Sequence, residues 1–391
     1  MRLVFWQNML SFHQETHIVA LVQQCGCEVV WVAEREVEAD RTLLAWNPEN
    51  VPGLTVVITP TPAQIDEILS EHPAESVHIF SGLRGFPLVA AVIKKAHKLK
   101  LNCAILQERR PVGGFKGLLR EGLFRLDRIR YGKSVKCVLV MGYSGARGGA
   151  KYFESVGYPK DRLYPYGYFS KRPETQPKPP AEGDFKIIFV GSYIKRKGVD
   201  TVLRALSQLI DLDWSFEIIG DGEMRNEWVN LGVELHISDR LTFPSFMPNA
   251  EAMERVAESD LLILPSRFDG WGFVVNEALM RGVPAFCSDL CGASDLLQEA
   301  WRGAVFPAED SAVLALLLRE TINLGKAKPE ARKRIYDWAA CIDGRETAGY
   351  LLAAIKHSLG EGERPTALWL NLPHLLAHAK GGGVSEADGG G

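Results

Sequence analysis

Short runs of consecutive apolar residues alternate with segments of helical period along almost the whole chain. In the first half the runs are RLVFW, EVVWVA, LTVVIT, SVHIF, LNCAIL and KCVLVM; in the second they are KIIFV, FEIIG, LTF, DLLIL and PAFCS. A strand buried on both faces reads as such a run, because its alternating side chains meet covering helices above and below. The pattern predicts an α/β protein of two Rossmann-like, doubly wound domains. After KIIFV, a helical period places Val199, Val202, Leu203, Leu206 and Ile210 on one face. Between the halves, SKRPETQPKPPAEGD offers nothing to bury and predicts an exposed linker. The expected boundaries are therefore 1–169 for the first domain, 170–184 for the linker and 185–359 for the second domain with helices after Pro307. Residues 360–391 hold one short apolar piece, TALWLNLPHLLAHA, before a glycine-rich end, and are expected to be a disordered tail.

Composition narrows the function classes. A length of 391 residues suits two domains that each bury a core unaided, and a net charge of -3 argues against a nucleic-acid binder. The seven cysteines are odd in number and scattered, as in a reduced chain; Cys25-Gly-Cys27 and Cys287 to Cys291 lack partners that would complete a zinc site. No metal is expected in the chemistry. The start, MRLVFWQNML, lacks the long apolar core of a signal peptide, and no window reaches the length of a membrane span. A cytoplasmic protein is expected, with peripheral contact to the cytoplasmic membrane face as an option.

In open parallel sheets, ligands bind where the strands end at their carboxyl termini. Four such loops of the second domain carry glycine: KIIFVG into SYIKRKG, FEIIG into DGE, DLLIL into PSRFDGWGF, and PAFCS into DLCGAS. Glycine lets backbone approach a ligand closely, and each following helix offers unpaired N–H groups, a combination that suits a diphosphate. Gly191, Ser192, Gly222 and Gly272 stand in these loops. In PSRFDGWGFVVNEALMRGVP, Asp269 lies in the loop and Glu277 falls one turn into the next helix. Side chains four apart share a helix face, so Glu277 points back past Phe273 toward the loop. A carboxylate there can accept both hydroxyls of a ribose, while backbone N–H groups near Phe273 and Val274 hold phosphate or sugar oxygens. Asp211-Leu-Asp213 imitates a metal-binding acid pair, but it precedes its strand and so belongs at the wrong end of the sheet.

These residues resemble the retaining GT-B glycosyltransferases of family 4. The acid-x7-acid element matches Asp269 to Glu277, and Pro265-Ser266 and Gly282-Val283-Pro284 flank it as in the family. The resemblance spans roughly residues 185–297. It implies that Glu277 binds the donor's ribose, that Asp269 contacts the transferred sugar, and that Lys197 neutralises the leaving diphosphate. Two departures stand out. The family has glutamate where this chain has Asp269, and its Gly-Arg-Leu turn is here Gly191-Ser192-Tyr193, which removes a phosphate-binding arginine. Arg196, beside Lys197-Gly198, can supply the lost charge.

In the first half, QNMLSFHQ follows the first strand and brings His13 to the same interdomain cleft as a candidate polar group. QERRP follows LNCAIL; the family often has a histidine near this position, and here stand Gln107 and Glu108. Glu108 can contact the acceptor and Arg109 and Arg110 its phosphate, or the three charges form a surface ion-pair cluster. FKGLLREGLFRLDRIRYGKSVK sets seven basic residues against two acidic ones, a local charge of +5, with leucine and phenylalanine interleaved. Either it lies on an anionic membrane surface, or it is a core-facing helix with a basic outer face. GYSGARGGA lacks the lysine of a nucleotide-triphosphate loop and predicts a turn.

The expected function is transfer of a hexose, with the retention that the resemblance implies, from a nucleotide diphosphate sugar to a saccharide or lipid-linked acceptor in surface polysaccharide assembly. No cofactor is expected beyond that donor, with a UDP-sugar the first to test. A nucleotide-sugar epimerase of the same fold, or a nucleotide-sugar-binding module that has lost catalysis, are the alternatives.

Overall fold

The computed structural model describes residues 1–10, 12–35, 51–108, 114–145, 148–180, 182–245 and 247–370. The first domain runs β1 (Arg2–Met9), α1 (Phe12–Gln23), β2 (Glu28–Arg35), β3 (Leu54–Ile58), α2 (Pro62–Ser70), β4 (Ser76–Ser81) and α3 (Pro87–Lys98). It continues with β5 (Asn102–Glu108), α4 (Gly114–Tyr131), β6 (Val135–Met141), α5 (Gly149–Ser155) and β7 (Leu163–Tyr166). The seven strands are parallel, in the order β3-β2-β1-β4-β5-β6-β7. β1 shows why the run is apolar throughout: Leu3 and Phe5 enter one core layer, whereas Val4 and Trp6 enter the layer on the other face.

The second domain runs β8 (Phe185–Val190), α6 (Val199–Leu206), β9 (Trp214–Ile219), α7 (Arg225–Glu234), β10 (Leu241–Thr242), α8 (Asn249–Glu258) and β11 (Leu261–Leu264). There follow α9 (Val274–Leu279), β12 (Ala285–Ser288), β13 (Gly303–Phe306), α10 (Ser311–Leu324), α11 (Pro329–Trp338) and α12 (Gly344–Ser358). Its six strands are again parallel, ordered β10-β9-β8-β11-β12-β13. α6 is shorter than its periodicity predicts: it ends at Leu206, and Ile210 is 62% exposed beyond it.

Three boundaries differ from the sequence expectation. α12 leaves the second domain and packs on α1 of the first, where Thr347 Oγ1 lies 3.0 Å from His17 Nδ1 and His357 Nδ1 lies 2.6 Å from the Tyr164 hydroxyl. Burial holds the His17 imidazole down to about 4, so it stays neutral between the hydroxyls of Thr347 and Tyr166. The linker is a strap fixed to the second domain. Arg172 donates to the Tyr336 carbonyl at 2.8 Å and stacks on its ring, and Lys178 pairs with Glu254 and Glu258 at 2.7 and 3.0 Å. The first part of the expected tail is also placed: Trp369 is buried between Phe169 and Tyr350, with centroids at 4.8 and 5.1 Å, and Arg364 donates to the Asp161 and Leu163 carbonyls. Residues 371–391, Arg109, Arg110 and residues 146–147 of the GYSGARGGA turn lie outside the described residues. Among the described residues no helix is long and apolar enough to cross a membrane.

Candidate active site

The carboxyl ends of the two sheets face each other, and the candidates His13 and Glu108 reach across the cleft from the first domain. The loop after β11 is held by backbone bonds from Asp269 N to Leu290 O and from Gly292 N to Asp269 O, both 3.1 Å. That anchoring turns the Asp269 carboxylate toward the loop after β8. Lys197 Nζ lies 2.7 Å from Asp269 Oδ2, both side chains are 14% exposed, and Arg196 Nη1 approaches the same oxygen at 3.4 Å. Ser266 Oγ donates to it at 3.4 Å. Two cations against one carboxylate leave this cluster with a surplus of one positive charge, which suits it to receive an anion.

The glycines around the cluster serve chain packing. A Cβ at Gly191 would crowd Phe189 Cζ at 3.1 Å and would meet Lys197 Cε only in ordinary contact, at 3.7 Å. Gly198, at φ 67, and Gly222, at φ 146, lie against the carbonyls of Pro265 and Tyr193, so chain packing requires them. Gly272, at φ 91, fits beneath Leu264. Ser192 is exposed in the loop after β8. The expectation of four open helix ends is corrected in part. α9 spans only six residues, the turn after β12 is a 3-10 segment, and the start of α6 is covered by the backbone around Pro265.

Glu277 sits half-buried in the first turn of α9, and its Oε1 accepts from Asn249 Nδ2 at 3.3 Å. Burial raises its carboxyl to about 7, against the opposing pull of the Asn249 hydrogen bond and the Arg281 charge. Phe273 caps α9, and Val274 opens it. The His13 ring crosses from the first domain to pack on Phe273, with centroids 3.7 Å apart. Glu108 crosses from the end of β5: its carboxylate fills the space a Cβ would take on Gly270 and hydrogen-bonds the Tyr168 hydroxyl. Thus His13 and Glu108 both meet the loop that carries Asp269. Asp211 lies before β9 and is engaged by Arg319 at 2.6 Å, at the end of the sheet away from these groups.

Two polar residues that sequence reasoning passed over join the domains. Asn276, fully buried, donates to the Tyr168 carbonyl at 3.0 Å and accepts from Trp271 Nε1 at 2.8 Å, which ties α9 to the chain between the domains. Asp295, also fully buried, accepts the backbone N–H groups of Tyr143 and Ser144 at 2.6 and 2.8 Å. The loop after β6 is therefore a docking turn, where Gly142 comes so close that a Cβ would lie 2.8 Å from Gly292 Cα. A buried polar side chain has no signature in a single sequence, so neither role was legible there.

Burial lifts the Asp295 carboxyl from 3.8 to about 6, opposed by its two backbone hydrogen bonds. The native state thus holds this proton more tightly than the unfolded chain. Its contribution to stability is full below pH 3.8 and is lost as pH rises through about 6. Asp295→Asn keeps an acceptor but cannot ionise, so wild-type stability relative to that variant is expected to fall across this window in denaturant titrations. Asp295→Ala leaves both N–H groups unpaired and is expected to cost roughly 1 kcal/mol or more at any pH. A wild-type difference from Asp295→Asn that ignores pH would remove the burial argument.

Comparison with known proteins bears on the family and the fold. The model of the family "Glycosyl transferases group 1" matches residues 170–338, from the strap to the end of α11. The alpha-D-kanosaminyltransferase of Streptomyces kanamyceticus is 27% identical over 180 residues, 44% of this chain and 46% of that one. The chain spans about half the length of the curated relatives it matches. Among solved structures, the lipopolysaccharide outer core galactosyltransferase WaaB superimposes with a TM-score of 0.68 at 15% identity, covering 91% of this chain and 99% of that one. HepE from Anabaena in complex with UDP-glucose superimposes with a TM-score of 0.64 at 14% identity, covering 92% and 99%. The second domain, which the family model covers nearly throughout, belongs to the glycosyl transferases group 1 family, within a GT-B fold that extends over the described chain.

Proposed function

We propose that this chain transfers a hexose from a nucleotide diphosphate sugar, with a UDP-sugar first among candidates, to a saccharide or lipid-linked acceptor, with retention of configuration. Assembly of a surface polysaccharide is the setting proposed. The observation that carries this reading is the Lys197–Asp269 pair at 2.7 Å, set in an interdomain cleft that His13 and Glu108 enter from the opposite side. HepE, which shares the fold, has been solved in complex with UDP-glucose, and several relatives are named for glycosyl transfer.

In this reading the diphosphate settles on the surplus positive charge of Lys197 and Arg196, and Glu277 accepts the ribose hydroxyls. Asp269, relieved of part of its pairing, faces the sugar. Charge grows on the diphosphate as the glycosidic bond breaks, so a fixed, water-shielded lysine stabilises the transition state more than the ground state. Glu108 is placed to meet the acceptor, and His13, against Phe273, closes the cleft over the reacting atoms and excludes water.

A nucleotide-sugar panel tests the assignment, because a donor at 100 times its dissociation constant stabilises the fold by about 2.7 kcal/mol. Product analysis with the donor alone separates an epimerase, which would isomerise it, and a binding module leaves every donor intact. Proton NMR of the first product reports retention. Asp269→Asn is expected to lower kcat while nucleotide affinity holds, since Asp269 is assigned to the sugar; a variant with unchanged kcat would remove that role.

A further inference from the structure

α4 presents its surface in a way that its sequence left open. Its inner face buries Phe124, Asp127 and Tyr131. Its outer surface carries apolar as well as basic side chains: Leu118, Leu119, Leu126 and Ile129 are 68%, 58%, 58% and 76% exposed, and Arg120, Arg125 and Arg130 are exposed too. Leu118, Gly122, Leu126 and Ile129 follow one another at helical spacing, and Leu119 lies one row over, so the four large side chains form a single stripe. Arg125 and Arg130 border it on its two sides. The acidic residues of the helix are spent locally, Glu121 on Arg125 at 2.6 Å and Asp127 on Arg84 at 2.5 Å.

At the carboxyl end of α4 lies a concavity of about 580 Å³ lined by Arg128, Ile129, Gly132, Lys133, Lys136 and Arg162. Its arginines are held in place by backbone: Arg128 Nε donates to Gly157 O at 2.9 Å, and Arg162 Nη1 donates to Gly132 O and Val135 O at 2.7 and 2.9 Å. Four basic side chains therefore converge beside the exposed end of the apolar stripe, and no acidic residue lines the concavity.

We propose that α4 docks this chain on an anionic lipid bilayer, with the stripe entering the headgroup boundary and the basic concavity receiving a lipid phosphate. An apolar stripe flanked by arginine matches a helix lying in the interface plane, where nearby basic residues add attraction to anionic headgroups. A second protein or a second copy would also cover apolar surface, but the cluster of cations at one end calls for an anionic partner. β5 ends at Glu108 and α4 begins at Gly114, so the docked helix holds the cleft beside the membrane surface. The inference stands on surface chemistry and is independent of the sugar-transfer reading.

Co-sedimentation with vesicles of phosphatidylcholine alone and of phosphatidylcholine with phosphatidylglycerol tests it in the full chain, without any substrate. Wild type is expected to pellet with the anionic vesicles, several-fold above the neutral ones, and less as salt rises. Lys133→Glu with Lys136→Glu should abolish the anionic preference, and Leu118→Ser with Leu126→Ser and Ile129→Ser should lower binding at every salt concentration. These side chains are exposed or half-exposed, and an unchanged melting curve verifies that the variants fold. The proposal is overturned if wild type ignores anionic vesicles, if it binds neutral vesicles equally, or if the stripe variant pellets as wild type does. It is equally overturned if sedimentation velocity shows a wild-type dimer that the stripe variant loses.

Discussion

Lys197→Ala is expected to slow turnover on the order of 100-fold or more, by analogy with removing one preorganised donor from a developing oxyanion. The ammonium is 14% exposed and carries the shortest contact to Asp269, 2.7 Å against 3.4 Å for Arg196. Removing it leaves Asp269 with the more exposed and more distant cation, so the site loses both the charge that meets the diphosphate and the partner that orients the carboxylate. Because the two residues share one interaction, the double variant Lys197→Ala with Asp269→Asn should lose less than the product of the single losses. Steady-state kcat with the best donor of the panel measures this, and circular dichroism confirms the fold. A folded Lys197→Ala that turns over at the wild-type rate would exclude the lysine from the mechanism.

Glu277→Gln is expected to weaken binding of the free nucleoside diphosphate by about 10-fold or more, because hydrogen bonds to a charged group contribute roughly 1.5–3 kcal/mol each. The structure adds a pH signature. Burial holds the Glu277 carboxyl up to about 7, above its ordinary 4.5, so the empty site carries a proton there between these values. A ribose held by the carboxylate must displace that proton. Wild-type affinity should therefore rise with pH toward a plateau above 7, approaching tenfold per unit on the acidic side. The terminal phosphate of the ligand titrates near pH 6 as well, but it does so equally for both proteins. The ratio of wild-type to Glu277→Gln affinity, from calorimetry between pH 5.5 and 8, isolates the residue. A ratio near one at all pH values would break the ribose assignment, and a large ratio without pH dependence would break the burial argument alone.

Short-range pattern and spacing determined much of this protein. Both sheets, their parallel sense and eleven of their strands followed from apolar runs between helical periods, because a doubly covered strand leaves that trace in any window. The two strands missed, β7 and β13, are four-residue edge strands, and β7 contains Pro165, which a sheet tolerates only at its margin. Lys197, Asp269 and Glu277 were legible because strand-end loops and helix periodicity constrain them locally, and a family pattern matched their spacing. Tertiary structure alone decided the rest. That α12 and Trp369 return to the first domain depends on partners such as His17 and Phe169, 330 and 200 positions away, and no local window weighs such contacts. Asp295 and Asn276 became interdomain ties only through burial, which a sequence does not display. The outer stripe of α4 shows the same limit: its interleaved leucines left a core-facing helix and a membrane-facing one both open, and only the burial of Phe124 and Tyr131 on the opposite side turned the leucines outward.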